Sequence, residues 1–316
     1  MTTCEFLIDD RQGNVYSVPI EQAKWTTVRV GAPGRLEFTY LRGSGIDIET
    51  GYVARLDIDG QTVFYGYVFS VRHQQHEQRR VVAYDQMRYM LFEETYVFQN
   101  KTASQMLRMM AEDVGLSLGE IEDTGYVMNL AQENKKLLDI AYEALNTTLT
   151  STRKLYTLYD DGGALCLKSL ESMRTDLFLG DQSLVAGYDY ETSIDEDTYN
   201  RVKIVKKNEQ TGRWEVFIHQ DSQNIARWGT LQLYQVAEET AGDAQIDSRA
   251  GALLKLKNRE TQSLSLTGLG DLRARAGAGI YIGIKDEGID SWFVIDEADH
   301  TFKDGLHEMK VKLKVV

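Results

Sequence analysis

Leu264-Ser-Leu-Thr-Gly-Leu269, Gly279-Ile-Tyr-Ile-Gly-Ile284 and Glu287-Gly288 stand 228 residues after Leu36-Glu-Phe-Thr-Tyr-Leu41, Gly51-Tyr-Val-Ala-Arg-Leu56 and Asp59-Gly60, in the same order and with the same gaps. A slip of one residue then brings His300 opposite His73. Each match is short, but order, spacing and turn positions agree together, as they do when a unit has been duplicated. The residue types are those of β structure: alternating apolar and polar positions, β-branched side chains, and glycine or Asp-Gly at the breaks.

Around the first copy, residues 6–98 read as strand after strand. Val15, Val28, Val30, Leu36, Phe38 and Tyr40 sit in short alternating stretches cut by Gly13-Asn14 and Gly31-Ala-Pro-Gly34. Tyr52 to Ile58, Asp59-Gly60 and Thr62 to Val71 spell a hairpin, because Asp-Gly supplies the positive φ angles a tight turn demands. Arg79 to Tyr84 returns after the polar stretch His73-Gln-Gln-His-Glu77. Strands this short and frequent favour a closed antiparallel barrel, which leaves no exposed edge.

The period changes at Asn100. Thr102 with Gln105 forms a capping box, Met106, Leu107, Met110 and Val114 share one helical face, and Gly115 stops the helix. A second helix is expected over about 135–146, with Leu137, Leu138, Ala141, Tyr142 and Leu145 inward. Lys154 to Tyr159, the turn Asp160-Asp-Gly-Gly163 and Ala164 to Lys168 make another hairpin. Strands resume at Gly187 to Glu191, Asn200 to Lys206 and Trp214 to Gln220, the last two separated by Asn208-Glu-Gln-Thr-Gly212. Asp243 is placed to cap a helix carrying Ile246, Ala250, Leu253 and Leu254 inward. In Glu308 to Val315 the residues Met309, Val311, Leu313 and Val315 alternate with Lys310, Lys312 and Lys314, so one face is buried and the other wet. The expected fold class is β-rich α+β: a first β-barrel module over residues 1–98, a small α+β domain inserted over 99–180, and a second, similar module over 181–316 with a helix at about 243–258.

The totals exclude several classes of function. With 316 residues the chain exceeds what one core usually serves. Its 35 basic and 48 acidic residues leave a net charge of −13, which opposes stable nucleic-acid binding and attraction to anionic membranes. Cys4 and Cys166 are too few and too far apart for a disulfide framework, so both are expected free in a reducing compartment. The N-terminal stretch lacks the basic and apolar regions of a signal peptide, and no apolar run reaches the ~20 residues of a membrane span. A soluble protein made in the cytosol is the expectation.

Candidate chemistry is sparse. His73 and His76 resemble half a metal site but lack a third ligand, and His300 and His307 are expected in the corresponding loop of the second module. His219 reads as surface or packing. Gly277-Ala-Gly279-Ile-Tyr-Ile-Gly283 approaches a dinucleotide fingerprint, but the third glycine comes one residue late and a strand follows where a helix is needed. These glycines suit barrel corners. The acidic groups Glu93-Glu94, Asp160-Asp161, Asp195-Glu196-Asp197 and Glu238-Glu239 read as solvated loops and turns, although a glycosidase would use two carboxylates across a cleft. Asp57-Ile-Asp59-Gly60 starts like a calcium loop and lacks its closing Glu, so it is a hairpin turn. Tyr52, Phe64, Tyr65, Tyr67 and Phe69 crowd one hairpin, as barrel core and subunit interface or as a glycan-binding face. No catalytic, cofactor-binding or metal-binding residue is assigned, and no cofactor is expected.

Tyr65-Gly-Tyr-Val-Phe-Ser70, Val81-Val-Ala-Tyr-Asp85, Lys101-Thr-Ala-Ser-Gln-Met-Leu107, Asp197-Thr-Tyr-Asn-Arg-Val-Lys-Ile204, Trp228-Gly-Thr-Leu-Gln232 and Gly270-Asp-Leu-Arg273 together resemble the baseplate hub proteins of contractile phage tails and phage-like bacteriocins of Gram-positive hosts. That family is similar to the hub part of type VI secretion spike proteins. The resemblance covers nearly the whole chain, and none of its motifs is catalytic. It implies a non-enzymatic structural hub: two tube-type barrels per chain, assembled as a homotrimer between a hexameric tail tube and a trimeric spike. The tail tube ring, the central spike and other baseplate or tape-measure proteins would be its partners. The chain would assemble in the bacterial host cytoplasm and end in the baseplate of a phage tail or bacteriocin particle. A tail-borne cell-wall hydrolase or glycan-binding protein is the alternative reading.

Overall fold

The computed structural model describes residues 3–43, 45–73, 77–181, 183, 185–195, 197–208, 211–237 and 241–315. Its contacts divide the chain into two compact units, Met1–Asp189 with Leu264–Val316, and Tyr190–Ser263. The strands at 201–207 and 214–220 therefore belong to a unit of their own.

The first unit begins with β1 (Cys4–Asp9), β2 (Val15–Ser17), β3 (Gln22–Val28), β4 (Arg35–Leu41), β5 (Val53–Ile58), β6 (Gln61–His73) and β7 (Gln78–Tyr84). Period-two burial organises them: Ala23 and Trp25 on β3 and Leu36, Phe38 and Tyr40 on β4 are buried, while their neighbours along each strand are not. The Asp59-Gly60 turn has φ of 49° and 80°, the two positive values of a tight hairpin. At Gly66 a Cβ would stand 2.3 Å from the Tyr84 carbonyl oxygen, so only glycine lets β6 approach β7 there.

A 3₁₀ turn over Gln86–Leu91 leads to β8 (Glu93–Thr102), α1 (Ala103–Val114), β9 (Leu118–Ile121), β10 (Val127–Lys136), α2 (Leu137–Thr152), β11 (Tyr156–Asp160) and β12 (Leu165–Ser169). The Thr102–Gln105 capping box is present in both directions, and Gly115 ends α1 at φ 74°. Met106, Met110, Leu137, Leu138, Leu158, Leu165 and Leu167 share one core. Helix α2 runs six residues past its expected end. Thr148, Thr150 and Thr152 each donate a hydroxyl hydrogen bond to the carbonyl four residues back (2.9, 2.9 and 2.8 Å), which satisfies side chains that otherwise disfavour helix. β8 and β10 form a two-stranded ribbon that the sequence pattern did not reveal, broken by irregularities in register.

After β13 (Arg174–Gly180) and β14 (Val185–Ser193) the chain enters the second unit: β15 (Arg201–Lys207), β16 (Trp214–Gln220), α3 (Ser222–Trp228), β17 (Gln232–Val236) and α4 (Asp243–Lys257). A three-stranded sheet in the order β16-β15-β17 packs Val202 and Ile204 against Ile246 and Ala250 of α4. Gly242 is the N-cap of α4. Asp243 occupies the first turn instead of capping, with its carboxylate drawn to Lys206.

The first unit resumes with β18 (Thr261–Leu269), β19 (Gly279–Ile284), β20 (Ile289–Lys303) and β21 (Leu306–Val315). One large sheet has the order β14-β18-β21-β20-β3-β4-β7-β6-β5-β1-β2, with β19 paired to β20 and to β13. The run β18-β21-β20-β19-β13 repeats the run β4-β7-β6-β5-β1. Finer details repeat as well. Phe69 interrupts the β6–β7 register between Val68 and Ser70, and Asp296 interrupts β20–β21 between Ile295 and Glu297, at the same offset as His73 and His300. Val68 exchanges backbone hydrogen bonds with Gly51 and Tyr52 at 2.8 Å each, as Ile295 does with Gly277 and Ala278 at 2.8 and 3.0 Å. The copies differ where β1 pairs antiparallel and β13 parallel, and where four residues replace the two-residue hairpin turn.

Candidate assembly surface

Strand β20 joins one run of strands to the other by way of β3. Its first part, Ile289–Val294, pairs with β19, and its last part, Glu297–Lys303, pairs antiparallel with Val28–Gln22 of β3, while β21 lines the other side. Side chains reinforce the joint. Arg29 reaches Asp296 through Nε at 3.0 Å and Nη2 at 2.9 Å, Lys24 meets Asp299 at 2.9 Å, and the Thr26 hydroxyl donates to Asp299 at 2.5 Å. Acid on β20 thus meets base on β3.

His300 sits in the middle of this ladder, fully buried, and not in a loop as expected from sequence. Its Nε2 faces the Ala274 carbonyl at 2.8 Å and must donate, so Nδ1 is the acceptor for the Nε2 proton of His307 at 2.9 Å. Burial, and then the adjacent His307, bring the His300 imidazole down to about 4. The pair is a neutral hydrogen-bonded unit. Of the other candidate ligands, His73 ends β6 and His76 lies outside the described residues. His219 pairs with Asp247 at 2.8 Å. Among the described residues no three His, Cys, Asp or Glu side chains converge as metal ligands.

A second polar cluster lies where Gly34, Asp85, Asp160 and Arg275 meet. Asp85 caps the 3₁₀ turn, accepting from Gly34 N at 2.7 Å and Met87 N at 3.0 Å. Half-buried Asp160 accepts from Gln86 Nε2 at 2.9 Å and Gly163 N at 2.8 Å. Arg275 spans the group, donating to the Asp160 carbonyl at 2.7 Å and Asp161 at 3.0 Å, with its guanidinium 4.1 Å from the Tyr159 ring centroid. Burial and the Asp160 charge push the Asp85 carboxyl well above the usual range, and burial lifts Asp160 to about 6. This corrects the reading of Asp160-Asp161 as a solvated pair. The adjoining cavity is about 20 Å³, room for one water and not for a sugar ring. Gln86 and Arg275 were not singled out from sequence; the only local signal was an Asp immediately before a helical turn.

The remaining motifs have structural places. Glu93 and Glu94 are exposed at the start of β8, Asp195 is exposed, and Glu196, Glu238 and Glu239 lie outside the described residues. Gly277 has φ 88°, and a Cβ there would stand 2.3 Å from Thr157, so the near-miss fingerprint is a tight backbone turn leading into β19. Phe64 enters the core, whereas Tyr65, Tyr67 and Phe69 form a half-buried aromatic layer with Tyr84 on the opposite face, edged by the exposed Tyr89. Within the second unit, Asp197-Thr-Tyr-Asn-Arg-Val202 is a latch. Fully buried Asn200 accepts from Leu231 N at 2.9 Å and donates to the Gly229 carbonyl at 2.7 Å. Thr198 donates to the Arg259 carbonyl at 2.9 Å, and Asp197 pairs with Lys257 at 2.5 Å. The motif ties β15 to the approach to β17 and to the end of α4. Among the described residues no helix is long and apolar enough to cross a membrane.

A family model described as YQBQ-like matches residues 23–314. The chain belongs to the YQBQ-like family. This YQBQ-like chain is 27% identical over 293 residues to the phage-like element PBSX protein XkdQ of Bacillus subtilis, covering 90% of this chain and 88% of that protein. Its fold is similar to the prophage MuSo2 43 kDa tail protein of Shewanella oneidensis, with TM-score 0.72, 15% identity and 98% of each chain covered. It is also similar to the E. coli c3393 protein, a type VI secretion component described as resembling the T4 tail proteins gp27 and gp5. There the TM-score is 0.55 at 10% identity, covering 98% of this chain and 76% of that one. The fold is that of phage tail proteins, in agreement with the resemblance carried by the sequence motifs, and it is β-rich with few helices.

Proposed function

We propose that this chain is a structural baseplate hub of a contractile injection tail. Three copies would form a pseudo-sixfold ring that joins the hexameric tail tube to a trimeric spike. One observation carries the reading: the strand order β4-β7-β6-β5 recurs as β18-β21-β20-β19, and the two sets are joined edge to edge by β20 and β3. Two similar modules in each of three subunits present six similar surfaces to a sixfold ring, while the true symmetry stays threefold for a spike. In this reading residues 1–98 form the first tube-type barrel, 99–180 the inserted α+β domain as far as β13 (Arg174–Gly180), whose pairing with β19 belongs to the second barrel, and 181–316 the rest of that barrel, interrupted by the unit at 190–263.

The role requires no chemistry. The raised carboxylates Asp85 and Asp160 are enclosed beside a water-sized cavity, and their hydrogen bonds go to backbone and Gln86, which suits a structural junction better than the carboxylate pair of a wall hydrolase. Partners would be the tail tube ring, the spike and neighbouring baseplate or tape-measure proteins, with assembly in the host cytoplasm before incorporation into a phage tail or bacteriocin particle. Where acidic residues of this chain, whose net charge is −13, line the channel, they would repel passing DNA. Multi-angle light scattering of the full chain, alone and with its spike, tests this directly: a trimer is expected, and a strict monomer or dimer under every condition would rule it out. Purified peptidoglycan should release no soluble fragments.

A further inference from the structure

We infer that the last part of β6 is a docking edge for a second copy of this chain, and that its partner is the outer edge of β14. This rests on the ring reading above and specifies how one subunit joins the next. Both strands have counterparts already paired within the chain. The end of β20 pairs with β3; β6 corresponds to β20, and β14, next to β18, corresponds to β3, next to β4. One chain therefore contains one complete joint, β20 on β3, and the two halves of another.

The β6 half is open. Strand β5 accompanies β6 only from Gln61 to Tyr67, and Val68 turns its peptide groups to the same side, toward Gly51 and Tyr52. After the irregularity at Phe69, alternation turns the peptide groups of Val71 and His73 to that side again, where no described strand lies. At the matching positions of β20, Ala298 and His300 face β3. Strand β14 ends the path of the sheet, and Ala186, Gly187, Tyr188 and Asp189 are all exposed. Edges left so would invite indiscriminate pairing, whereas mutual pairing in a closed ring removes them.

Charge selects the occupant. At the internal joint the position of Asp299 faces base on β3. Its counterpart on β6 is Arg72, which lies opposite Arg80 on β7 and has no ion pair among the described residues. The order of sign is reversed, so an acidic strand is required beside β6. Residues Val185–Asp189 supply Asp189, likewise without an ion pair, and no basic residue. A second copy thus meets both requirements of backbone edge and charge.

The test uses the full chain. Arg72→Glu should raise at least tenfold the concentration needed for trimer in sedimentation velocity, and Asp189→Lys in the same chain should restore assembly. A second readout does not depend on the stability of that variant. In a Cys4→Ser background, Arg72→Cys is combined with either Tyr188→Cys or Asp189→Cys; neighbouring residues point to opposite faces, so one of the two must lie on the side of Arg72. Oxidation should give a ladder ending at a disulfide-linked trimer, absent from each single-cysteine chain. An intact trimer that neither cross-links nor responds to Arg72→Glu would overturn the edge pairing and leave the ring reading standing. Cross-links confined to another tail protein would overturn it too, and a chain that never oligomerises would overturn both.

Discussion

Trp25 lies stacked on His300 across the ladder that joins β3 to β20, with ring centroids 5.1 Å apart and planes 27° from parallel. Both are buried, and the imidazole presents one nitrogen to a backbone carbonyl and the other to His307. An aromatic contact and a neutral hydrogen-bonded chain thus fasten the joint between the two halves of the sheet.

Truncating Trp25 to Ala should destabilise the first unit by about 3–5 kcal/mol, the usual range for removing a buried indole. Trp25→Phe keeps an aromatic face toward His300 and should recover a good part of the loss. Urea unfolding followed by circular dichroism measures both. Equal losses for the two variants would show that the stack on His300 contributes little.

His300 should make stability depend on pH with a definite sign. Its folded value of about 4 lies below the ordinary value of 6.5, so between these limits the unfolded chain binds the proton more readily. The contribution is complete above pH 6.5 and declines as pH falls to about 4, by roughly 3 kcal/mol at most. His300→Gln cannot titrate. Wild type should therefore lose stability relative to this variant as pH drops through that window, and parallel pH profiles would contradict the assignment.

Asp160 acts in the opposite direction. Its folded value of about 6 is raised, so its stability contribution is present below the unfolded value near 4 and is lost as pH rises through 6. Relative to wild type, Asp160→Asn should gain stability between pH 4 and 6 and then remain level. A difference that falls over this range would mean that Asp160 is not the group held protonated beside Asp85.

Thr102→Ala removes one half of the capping box of α1 and should cost about 1 kcal/mol. Amide hydrogen exchange should locate the loss in the first turn of α1. A loss spread evenly over both units would point to a wider role for the buried contact between Thr102 and Ser104.

Local features of this fold were legible in the sequence because their causes are local. The capping box, the Asp59-Gly60 turn, the Trp214–Gln220 strand and the alternation along β21 depend on residues a few positions apart. The repeat was legible too, including the slip at His73 and His300. The joint was not, because the pairing of Trp25 with His300 leaves no mark in the periodicity of either strand. The strand length of β20, which continues well past its hairpin partner, was the available hint. Asp160 looked like a turn residue and is one, accepting from Gly163 N, but its proximity to Asp85 depends on packing between distant segments. The separate unit at 190–263 was hidden because its strands have the same residue types as those that flank it.

The most direct measurement is an electron-microscopy reconstruction of the assembled particle, with this chain located and its copies counted. Three copies in a closed ring, each contributing two similar strand sets around an axial channel with a near-sixfold outline, are the expected result. A different copy number, an open chain of subunits, or two strand sets at unrelated positions about the axis would contradict the hub assignment.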